Sequence, residues 1–427
     1  MTAKNKKIRR ICMINPQGYL EYPAPLGKTD TGGQTIYVLQ LAKALGKKNI
    51  KVDIITRKFN GMLDEEQVFP NVKIIRIPCG PKDKFVQKEK MYELMPEFVE
   101  NIMKHMQTKK KEYDMIHSHY WDGGYAGYML AKMLDVPHVF MPHSLGKLKK
   151  LEMEEQIEEM PLQKLKPMYR YHVRVAIEQK IMSHAQATLV ISEVGRIQIL
   201  EHYIVDFERI HVIYPGIETE YFNKKKTSYD RELHLQSNVV LAVARLVPAK
   251  GIDRLIDALA LIKKTTDFHL YIGGDIVDDP KGKSQEEIST TNQIKDLIKK
   301  HKLENRVTMT GYVPHDTVLP AYYRAAKVFV LAGRYEPFGL TALEAMACGA
   351  PTIVSSVAGS KEVIIDGLNG LIVDTHDRKL LAKQIKKLLD DNKLREKLSQ
   401  NAAFTIQEHY SWDIIVNKVI GLYKSLM

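Results

Sequence analysis

The chain alternates short apolar segments with longer amphipathic stretches, and this alternation runs through the sequence twice. Such a pattern predicts parallel β-strands in one sheet with helices on both of its faces. It restarts after Pro215-Gly216, so we expect two α/β domains, over residues 1–218 and 219–408. An amphipathic segment within residues 409–427 predicts a terminal helix that packs back on the first domain.

Apolar runs and helical periodicity place the individual elements. In the first half, strands are predicted at Arg9–Asn15, Val52–Thr56, Val72–Ile77, Met115–His117, His138–Met141, Ala187–Ser192 and His211–Tyr214. Helices are predicted there at Gln34–Lys47, Tyr92–Met106, Gly124–Leu134, Leu162–Ala185 and Val194–His202. In the second half, strands are predicted at Val239–Ala244, His269–Gly273, Val307–Thr310, Val328–Leu331, Pro351–Val354 and Gly370–Val373. The helices of that half are predicted at Asp253–Lys264, Thr290–His301, Asp316–Ala325, Leu340–Cys348, Lys379–Asp390 and Trp412–Leu426.

Composition excludes several classes of protein. The 427 residues are 44% hydrophobic and 27% charged, and no apolar run approaches the roughly 20 residues of a membrane span. The apolar segment Ile11–Ile14 is too short for the core of a signal peptide, so we expect a cytoplasmic protein without integral membrane association. Cys12, Cys79 and Cys348 are far apart, and we interpret them as buried thiols.

The net charge of +12 has two interpretations. Lysine tracts such as residues 109–111 and 224–226 are typical of a solvated surface. The same excess of positive charge would also attract anionic substrates. No nucleic-acid-binding motif accompanies it, so nucleic acid is not expected as a partner, and the oligomeric state stays open.

The segment Arg334–Gly349 carries the strongest indication of chemistry. Apolar Val328–Leu331 before it predicts a buried strand, so Glu336 is expected at the carboxyl end of that strand. Glu344 is expected about one turn into the helix that follows. Ligands bind at this edge of an open α/β sheet, and the unpaired N–H groups of a helix N-terminus attract anions. Carboxylates for hydroxyl groups beside N–H donors for phosphate would suit a nucleotide sugar.

Two cations, Arg245 and Lys250, follow the predicted strand Val239–Ala244. Cations at the carboxyl end of a strand could hold a leaving diphosphate and stabilise the charge that grows as a glycosyl bond breaks. Taken alone, they could equally be surface cations on a loop. Their occurrence together with the Glu336 segment favours the functional interpretation.

Two segments of the first half also follow predicted strands. The adjacent Gly32 and Gly33 open a helix and would let backbone N–H groups approach a phosphate closely, although such a pair can also be a simple turn. His143 could hydrogen-bond a sugar hydroxyl or a reacting group, or it could be a structural histidine.

The segment His117–Gly124 has histidines two residues apart, which places both side chains on one face of a strand. No third ligand at a typical spacing accompanies them, so no metal is expected. Contact with a sugar by Tyr120, Trp121 or Asp122 is the favoured interpretation.

A dispersed basic set consists of Lys88, Lys149, Arg170 and Arg174. The two arginines are four residues apart and share a helix face. Spacing does not unite the set, and solvated helix charges explain it as well as a binding site does.

Together, these motifs resemble the retaining glycosyltransferases of family 4, whose GT-B fold has two Rossmann-like domains with parallel sheets facing a central cleft. The segments Asp30–Gln34, Ser118–Gly124 and Pro142–Gly146 are similar to the branch of sucrose-phosphate synthases and mannosylfructose-phosphate synthases. Ala24–Gly27 and the pair Lys250-Gly251 look closer to the second group. The resemblance implies transfer of a hexose from a nucleotide-diphosphate sugar to fructose 6-phosphate, with no metal and no tightly bound cofactor.

The resemblance also implies roles for individual residues. The leaving phosphate would accept the proton of the incoming hydroxyl, so no covalent nucleophile is assigned. Groups acting on the reacting atoms would be His143, Arg245, Lys250 and Glu336. Donor binding is implied for Gly33 (phosphates), Arg245 and Lys250 (diphosphate), Glu336 (sugar hydroxyls), Phe338, Gly339, Leu340 and Glu344 (ribose). Acceptor binding is implied for Gln34, Tyr120 and Ser144, and for Lys88, Lys149 and Arg174 at the acceptor phosphate.

One segment departs from the family pattern. Sucrose-making enzymes have Asn-Gly-Gly-Pro near the donor, whereas this chain has Ala358–Glu362 in its place. In the family, that loop presents backbone amides to the donor. Uridine diphosphate glucose (UDP-glucose) and guanosine diphosphate mannose (GDP-mannose) are therefore both kept as donors.

Two alternative functions remain. The first is a family 4 transferase that acts on a lipid-linked or polysaccharide acceptor, but the basic stretch Lys147–Lys150 runs into acidic residues, which argues against anionic lipid. The second is a non-catalytic protein that binds nucleotide sugars. The presence of Arg245, Lys250, Glu336 and Glu344 together argues against it.

Overall fold

The computed structural model describes residues 7–17, 20–24, 32–84, 86–156, 171–274 and 285–427. The chain divides into unit 1, made of Met1–Tyr214 and Val416–Met427, and unit 2, made of Pro215–Ile415. The predictions made for residues 25–31, for helical residues 162–170 and for Arg170 lie outside the described residues.

Unit 1 is built on an eight-stranded sheet in the order β3-β4-β2-β1-β5-β6-β7-β8. All neighbouring strands are parallel except β3 and β4, which are antiparallel. The strands are Arg10–Ile14 (β1), Lys51–Arg57 (β2), Glu65–Phe69 (β3), Val72–Ile77 (β4), Met115–His119 (β5), His138–Met141 (β6), Ala187–Val190 (β7) and Ile210–Val212 (β8).

The inner strands of unit 1 are buried along nearly their whole length, because helices pack against the sheet. Phe98, Ile102 and Leu130 of two helices share one buried cluster with Ile14 and Ile116 of two strands. The helices are Gly33–Lys47 (α1), Met95–Lys109 (α2), Tyr120–Leu134 (α3), Gly146–Gln156 (α4), Tyr171–His184 (α5) and Glu193–His202 (α6), with a single helical turn at Lys88–Met91.

Unit 2 has a six-stranded parallel sheet in the order β11-β10-β9-β12-β13-β14. Its strands are Val239–Val243 (β9), His269–Gly273 (β10), Val307–Gly311 (β11), Val328–Leu331 (β12), Thr352–Ser355 (β13) and Leu371–Val373 (β14). Its helices are Ile252–Ile262 (α7), Gln285–Lys300 (α8), Leu319–Ala325 (α9), Leu340–Ala347 (α10), Arg378–Asp390 (α11), Asn392–Thr405 (α12) and the start of Trp412–Ser425 (α13), with a single turn at Tyr229–Glu232.

Each sheet has a point at which the strand order reverses direction. In unit 1 the chain runs outward from β1 through β2 and returns to the other side of β1 as β5; in unit 2 the same reversal separates β9 from β12. The loops that follow these neighbouring strands diverge and leave a crevice at the carboxyl edge, where ligands of α/β sheets bind. The strand order therefore identifies the loops after β1, β5, β9 and β12 as candidate ligand-binding loops.

Several elements differ from their predictions, among them α8, which begins at Gln285 and not at Thr290. Strand β3 was missed because its sequence is polar and it lies at a sheet edge. Helix α4 was missed, and so was α12, whose N-terminus is capped by the carboxylate of Asp391. Helix α3 begins at Tyr120 and not at Gly124. The glycines there serve close packing, since a Cβ at Gly123 would lie 2.9 Å from the carbonyl oxygen of Ile14.

Val416, Val419 and Tyr423 of α13 are fully buried, and these residues belong to unit 1. Within the described residues, no helix combines the length and the apolar character needed to cross a bilayer.

Candidate active site

An ion pair occupies the switch point of unit 2. Lys250 follows β9 and Glu336 follows β12, and the Nζ of Lys250 lies 2.5 Å from Oε2 of Glu336. The two side chains are 20% and 12% exposed, so the pair is largely shielded from water. Two predicted site residues that lie 86 positions apart in sequence are thus in direct contact.

The backbone of the Lys250 turn packs directly against the loop after β12. Gly251 has a φ of +64°, and a Cβ at this position would lie 2.2 Å from the carbonyl oxygen of Ala332. Only glycine satisfies both the left-handed conformation and the close approach. The N–H of Arg334 also donates to the carbonyl oxygen of Ala249 at 2.7 Å. These contacts fix the distance between the cation and the carboxylate.

Arg334 forms a second clamp between the same two loops. Its guanidinium donates to the carbonyl oxygen of Pro248 at 2.7 Å and makes a bidentate ion pair with Asp253 at the start of α7. The ion pair lowers the pKa of Asp253, although burial opposes this, and raises the pKa of Arg334. Sequence reasoning did not assign a role to either residue.

Arg245 differs from Lys250 in being exposed. Among the described residues, its side chain has no hydrogen-bond or ion-pair partner, so the guanidinium is available to a ligand at the carboxyl end of β9.

The remaining predicted donor-binding residues follow β12. Phe338 is buried, Gly339 has a φ of +95°, and Leu340 is the first residue of α10.

The loop that departs from the family pattern packs against the Glu336 segment. The N–H of Gly359 donates to the carbonyl oxygen of Glu336 at 3.0 Å, and the N–H of Ser360 donates to that of Phe338 at 2.7 Å. A Cβ at Gly359 would lie 2.2 Å from the carbonyl oxygen of Pro337. The amides of Gly359 and Ser360 therefore already have partners within the protein.

Glu344 is held by two side chains that sequence reasoning did not include. Its Oε1 lies 3.0 Å from Nε2 of His315, and its Oε2 accepts a hydrogen bond from the Tyr323 hydroxyl at 3.0 Å. Burial disfavours a charged His315, but Glu344 and Asp316 outweigh it and raise the pKa of His315 to about 10. At neutral pH the carboxylate therefore faces an imidazolium. His315 follows β11, so the rule of strand carboxyl ends could have found it.

In unit 1, the start of α1 adjoins the end of β1. Gly33 is the first residue of α1 and is exposed. The side-chain amide of Gln34 donates to Oδ1 of Asn15 at 2.6 Å, which ties the helix N-terminus to the loop after β1. Both residues lie at the carboxyl edge of the first sheet.

Arg174 is the centre of a buried network. Its guanidinium donates to Glu178 at 2.7 Å, to the Tyr120 hydroxyl at 2.9 Å, and to the carbonyl and hydroxyl oxygens of Ser144 at 2.7 and 3.1 Å. It also stacks on the ring of Tyr120, 4.8 Å from the centroid. Four of the five N–H donors of an arginine are thus used within the protein. The network brings together Tyr120, Ser144 and Arg174, which were all predicted to bind the acceptor.

Glu178 is fully buried and closes this network. Its carboxylate accepts hydrogen bonds from the N–H of Gly146, at the start of α4, and from the Tyr203 hydroxyl. Lys149 lies on α4 and is partly buried. Lys88 begins the single helical turn Lys88–Met91.

His143 lies just beyond β6 and contacts a second histidine. Its Nε2 lies 3.0 Å from Nδ1 of His119, and it meets the ring of Tyr37 edge to face at 5.6 Å between centroids. His117 and His119 are on one strand, as predicted, and their ring centroids are 4.4 Å apart. In the part of the chain that the structure describes, no group of three or more His, Cys, Asp or Glu side chains could hold a metal ion.

Comparison with known proteins identifies both halves of the chain. The family profile described as "Glycosyltransferase Family 4" matches residues 31–221, and the one described as "Glycosyl transferases group 1" matches residues 223–404. The mannosylfructose-phosphate synthase of Agrobacterium fabrum is 34% identical, over 99% of this chain and 92% of that protein. A probable sucrose-phosphate synthase of Thermosipho melanesiensis is 32% identical, over 97% and 96%.

Solved structures agree with the sequence relatives. The sucrose-phosphate synthase from Thermosynechococcus elongatus superposes with a TM-score of 0.81 at 29% identity, covering 98% of this chain and 99% of that one. The predicted α/β class, the GT-B fold and the resemblance to family 4 are thereby confirmed. The chain belongs to glycosyltransferase family 4 and is a hexosyltransferase of GT-B fold, a class that takes its sugar from a nucleotide-sugar co-substrate.

Proposed function

We propose that this enzyme transfers a hexose from a nucleotide-diphosphate sugar to a sugar phosphate, with fructose 6-phosphate as the acceptor and with retention of anomeric configuration. The observation that carries the proposal is the shielded pair of Lys250 and Glu336 at the switch point of unit 2. Relatives named mannosylfructose-phosphate synthase and sucrose-phosphate synthase, which match over nearly the whole chain, support the acceptor class.

The donor diphosphate is assigned to unit 2. Lys250 has three N–H donors, and within the described residues only the Glu336 carboxylate takes one, which leaves two for phosphate oxygens. Arg245 is exposed at the end of the same strand, β9, and supplies a second cation. Glu336 accepts hydrogen bonds from sugar hydroxyls, and the N-terminus of α10 at Leu340 adds backbone donors for phosphate.

Glu344 is assigned to the ribose, together with Phe338 and Gly339 as neighbouring donor contacts. In the described part of the chain, each carboxylate oxygen of Glu344 has one partner and a second lone pair left for a hydroxyl group. His315, which is charged at neutral pH, keeps this carboxylate oriented. The ribose is therefore expected to meet a preformed acceptor.

The sugar-phosphate acceptor is assigned to unit 1. Ser144 and Tyr120 are held in place by Arg174, which, among the described residues, has one Nη1 N–H left for a phosphate oxygen. Lys149 and Lys88 supply further positive charge, Gln34 contacts the acceptor sugar, and Gly33 offers its backbone to the donor phosphates.

Transfer breaks the bond between the anomeric carbon and the leaving phosphate oxygen and forms a bond from that carbon to the acceptor hydroxyl oxygen. The acceptor's proton passes to the departing phosphate, so that no protein side chain has to take it. Arg245 and Lys250 stabilise the negative charge that grows on the diphosphate, and His143 contacts the donor sugar beside the reacting carbon.

A matrix of donors and acceptors tests the proposal. UDP-glucose and GDP-mannose are each incubated with fructose 6-phosphate, glucose 6-phosphate and unphosphorylated fructose, and the products are identified by mass spectrometry. We expect a disaccharide phosphate from fructose 6-phosphate with one of the two donors, and an α-anomeric linkage by NMR if the donor is α-configured.

Phosphate recognition is tested in the same matrix with Lys149→Ala. A lost charge-assisted contact of about 1.5–3 kcal/mol should raise KM for fructose 6-phosphate roughly 10–150-fold and leave KM for fructose nearly unchanged. Nucleotide release with a lipid-linked or polysaccharide acceptor, and none with any sugar phosphate, would replace this proposal by the alternative acceptor class.

A further inference from the structure

The candidate catalytic residue His143 ends a row of buried rings. Within unit 1, Nδ1 of His117 lies 2.6 Å from the hydroxyl of Tyr423, and the rings of His117 and His119 have centroids 4.4 Å apart and planes tilted by 34°. Nδ1 of His119 in turn lies 3.0 Å from Nε2 of His143. His117 and His119 have no solvent exposure. The proposed function assigns no role to either of them.

The backbone fixes the direction in which His143 points. Its φ of +55° is in the left-handed region, and the N–H of Ser144 donates to the carbonyl oxygen of Pro142 at 2.6 Å across it. A non-glycine residue adopts this conformation only where the surrounding structure enforces it. Nε2 of His143 is thereby directed at His119. Among the described residues, its Nδ1 has no hydrogen-bond partner.

A single proton lies between the two imidazoles. Burial lowers the pKa of His143 and of His117 to about 3, and it lowers the pKa of His119 well below its usual value. Both rings of the contact are therefore neutral at physiological pH. A neutral imidazole has one N–H and one bare nitrogen, so either His119 donates to His143 or the reverse.

The other nitrogen of His119 decides between these two arrangements. Its Nε2 is buried and has no hydrogen-bond partner in the described part of the chain. If His119 carried its proton there, an N–H donor would be buried without an acceptor, and orphaned donors are rarer in protein interiors than under-used acceptors. The favoured arrangement has the proton on Nδ1 of His119, which donates to Nε2 of His143. The proton of His143 must then be on Nδ1.

We propose that His119 is a positioning residue that donates its Nδ1–H to Nε2 of His143 and so holds His143 as a neutral Nδ1–H hydrogen-bond donor. The role of His143 towards the substrate rests on the proposed function, whereas the tautomer assignment does not. As a neutral donor, His143 hydrogen-bonds an oxygen of the donor sugar and takes up no proton. This fits a reaction in which the leaving phosphate accepts the proton of the incoming hydroxyl.

The tautomer is read directly by NMR, without substrate. Protein labelled with ¹⁵N-histidine gives long-range ¹H–¹⁵N correlations that distinguish Nδ1–H from Nε2–H, and the His143 signals are assigned by their loss in His143→Asn. We expect an Nδ1–H tautomer for His143 and for His119 in the wild type, and loss of the fixed His143 tautomer in His119→Leu. An Nε2–H tautomer of His143 in the wild type, or an unaltered Nδ1–H in His119→Leu, would overturn the assignment.

Kinetics test the positioning role. His119→Leu is expected to lower kcat about 10²-fold with KM for the donor changed less than threefold, the scale on which a misplaced reacting group slows a reaction. His119→Asn keeps an N–H near the position of Nδ1 and should retain kcat within about fivefold. This variant also provides a test if the leucine variant does not fold. Equal kcat losses in the two variants would overturn the role.

His138→Asn is the matched control. His138 is a buried neutral histidine on the neighbouring strand β6, where its Nε2 lies 2.6 Å from the Ser118 hydroxyl and its pKa is lowered by burial to about 3. This variant should leave the His143 tautomer and kcat unaltered. If no sugar phosphate is glycosylated at all, the proposed function fails while the tautomer measurement still decides the contact between His119 and His143.

Discussion

Replacing Lys250 by methionine tests the assignment of the leaving diphosphate most directly. The substitution removes the cation and keeps most of the aliphatic stem, so that packing in the turn is largely preserved. The side chain is 20% exposed and its carboxylate partner Glu336 is 12% exposed, so solvent screening of the pair is incomplete. The incoming donor would meet an uncompensated carboxylate in place of a cation.

The expected size of the effect follows from what Lys250 contacts. One charged donor aimed at developing negative charge is worth about 2.7–4 kcal/mol in the transition state, which corresponds to a fall in kcat of about 10²–10³. Glu336→Gln keeps the shape of the partner and removes its charge. Combining the two substitutions should cost about 1–3 kcal/mol less than the sum of the single effects, because the unpaired carboxylate is then absent.

Steady-state kinetics of nucleoside diphosphate release give kcat and KM for the wild type, the two single variants and the double variant. Lys386 and Asp390 form an exposed ion pair on α11 at 2.7 Å, and Lys386→Met serves as the matched control, with kcat expected within twofold of wild type. If Lys250→Met folds like the wild type and keeps kcat within threefold, the diphosphate role of this residue is refuted.

Two further predictions concern stability, measured by denaturant unfolding with one tryptophan in each unit as the probe. Burial opposes a charged His315, but its carboxylate neighbours raise its pKa from 6.5 to about 10. The stabilisation by the charged His315 is therefore complete below pH 6.5 and is lost as the pH rises towards 10. The free energy of unfolding of unit 2 should fall by up to ~1.4 kcal/mol per pH unit across this window. It is measured with Trp412 as the probe in a Trp121→Phe background. His315→Gln should show a smaller slope, and an unchanged slope would contradict the pairing. Arg174→Ala should destabilise unit 1 by about 3–5 kcal/mol because Glu178 is left charged and buried, and adding Glu178→Gln should recover part of this; a loss below about 1 kcal/mol would contradict it.

Much of the unit 2 site could be predicted because its residues follow apolar strands that stand out in the sequence. The strands before Lys250 and Glu336 were predicted to within one residue of their observed ends. Carboxyl ends of parallel strands share one edge, so proximity follows from topology. That β9 and β12 are neighbours does not follow from the sequence, because strand order depends on pairing between distant segments.

What could not be predicted is how many donors and acceptors of a site residue are already used. Arg174 was assigned to the acceptor phosphate by the family resemblance, which did not show that four of its N–H groups already contact Glu178, Tyr120 and Ser144. Glu344 was identified by its position, whereas its contact with His315 joins residues 29 apart in sequence through tertiary packing. Local patterns give the place of a side chain but not its partners.

Unit 1 combines Met1–Tyr214 with the distant segment Val416–Met427, and this has a consequence for folding during synthesis on the ribosome. Its sheet is encoded before residue 215, yet Tyr423 and its neighbours on α13, which complete its interior, are encoded in the last twelve residues. The half of the enzyme that is translated first is therefore finished last, after all of unit 2 has emerged. A fragment that stops at Tyr214 would leave His117 without the phenol that it contacts in the complete protein, so dissecting the enzyme into halves calls for grafting the C-terminal peptide onto the N-terminal piece.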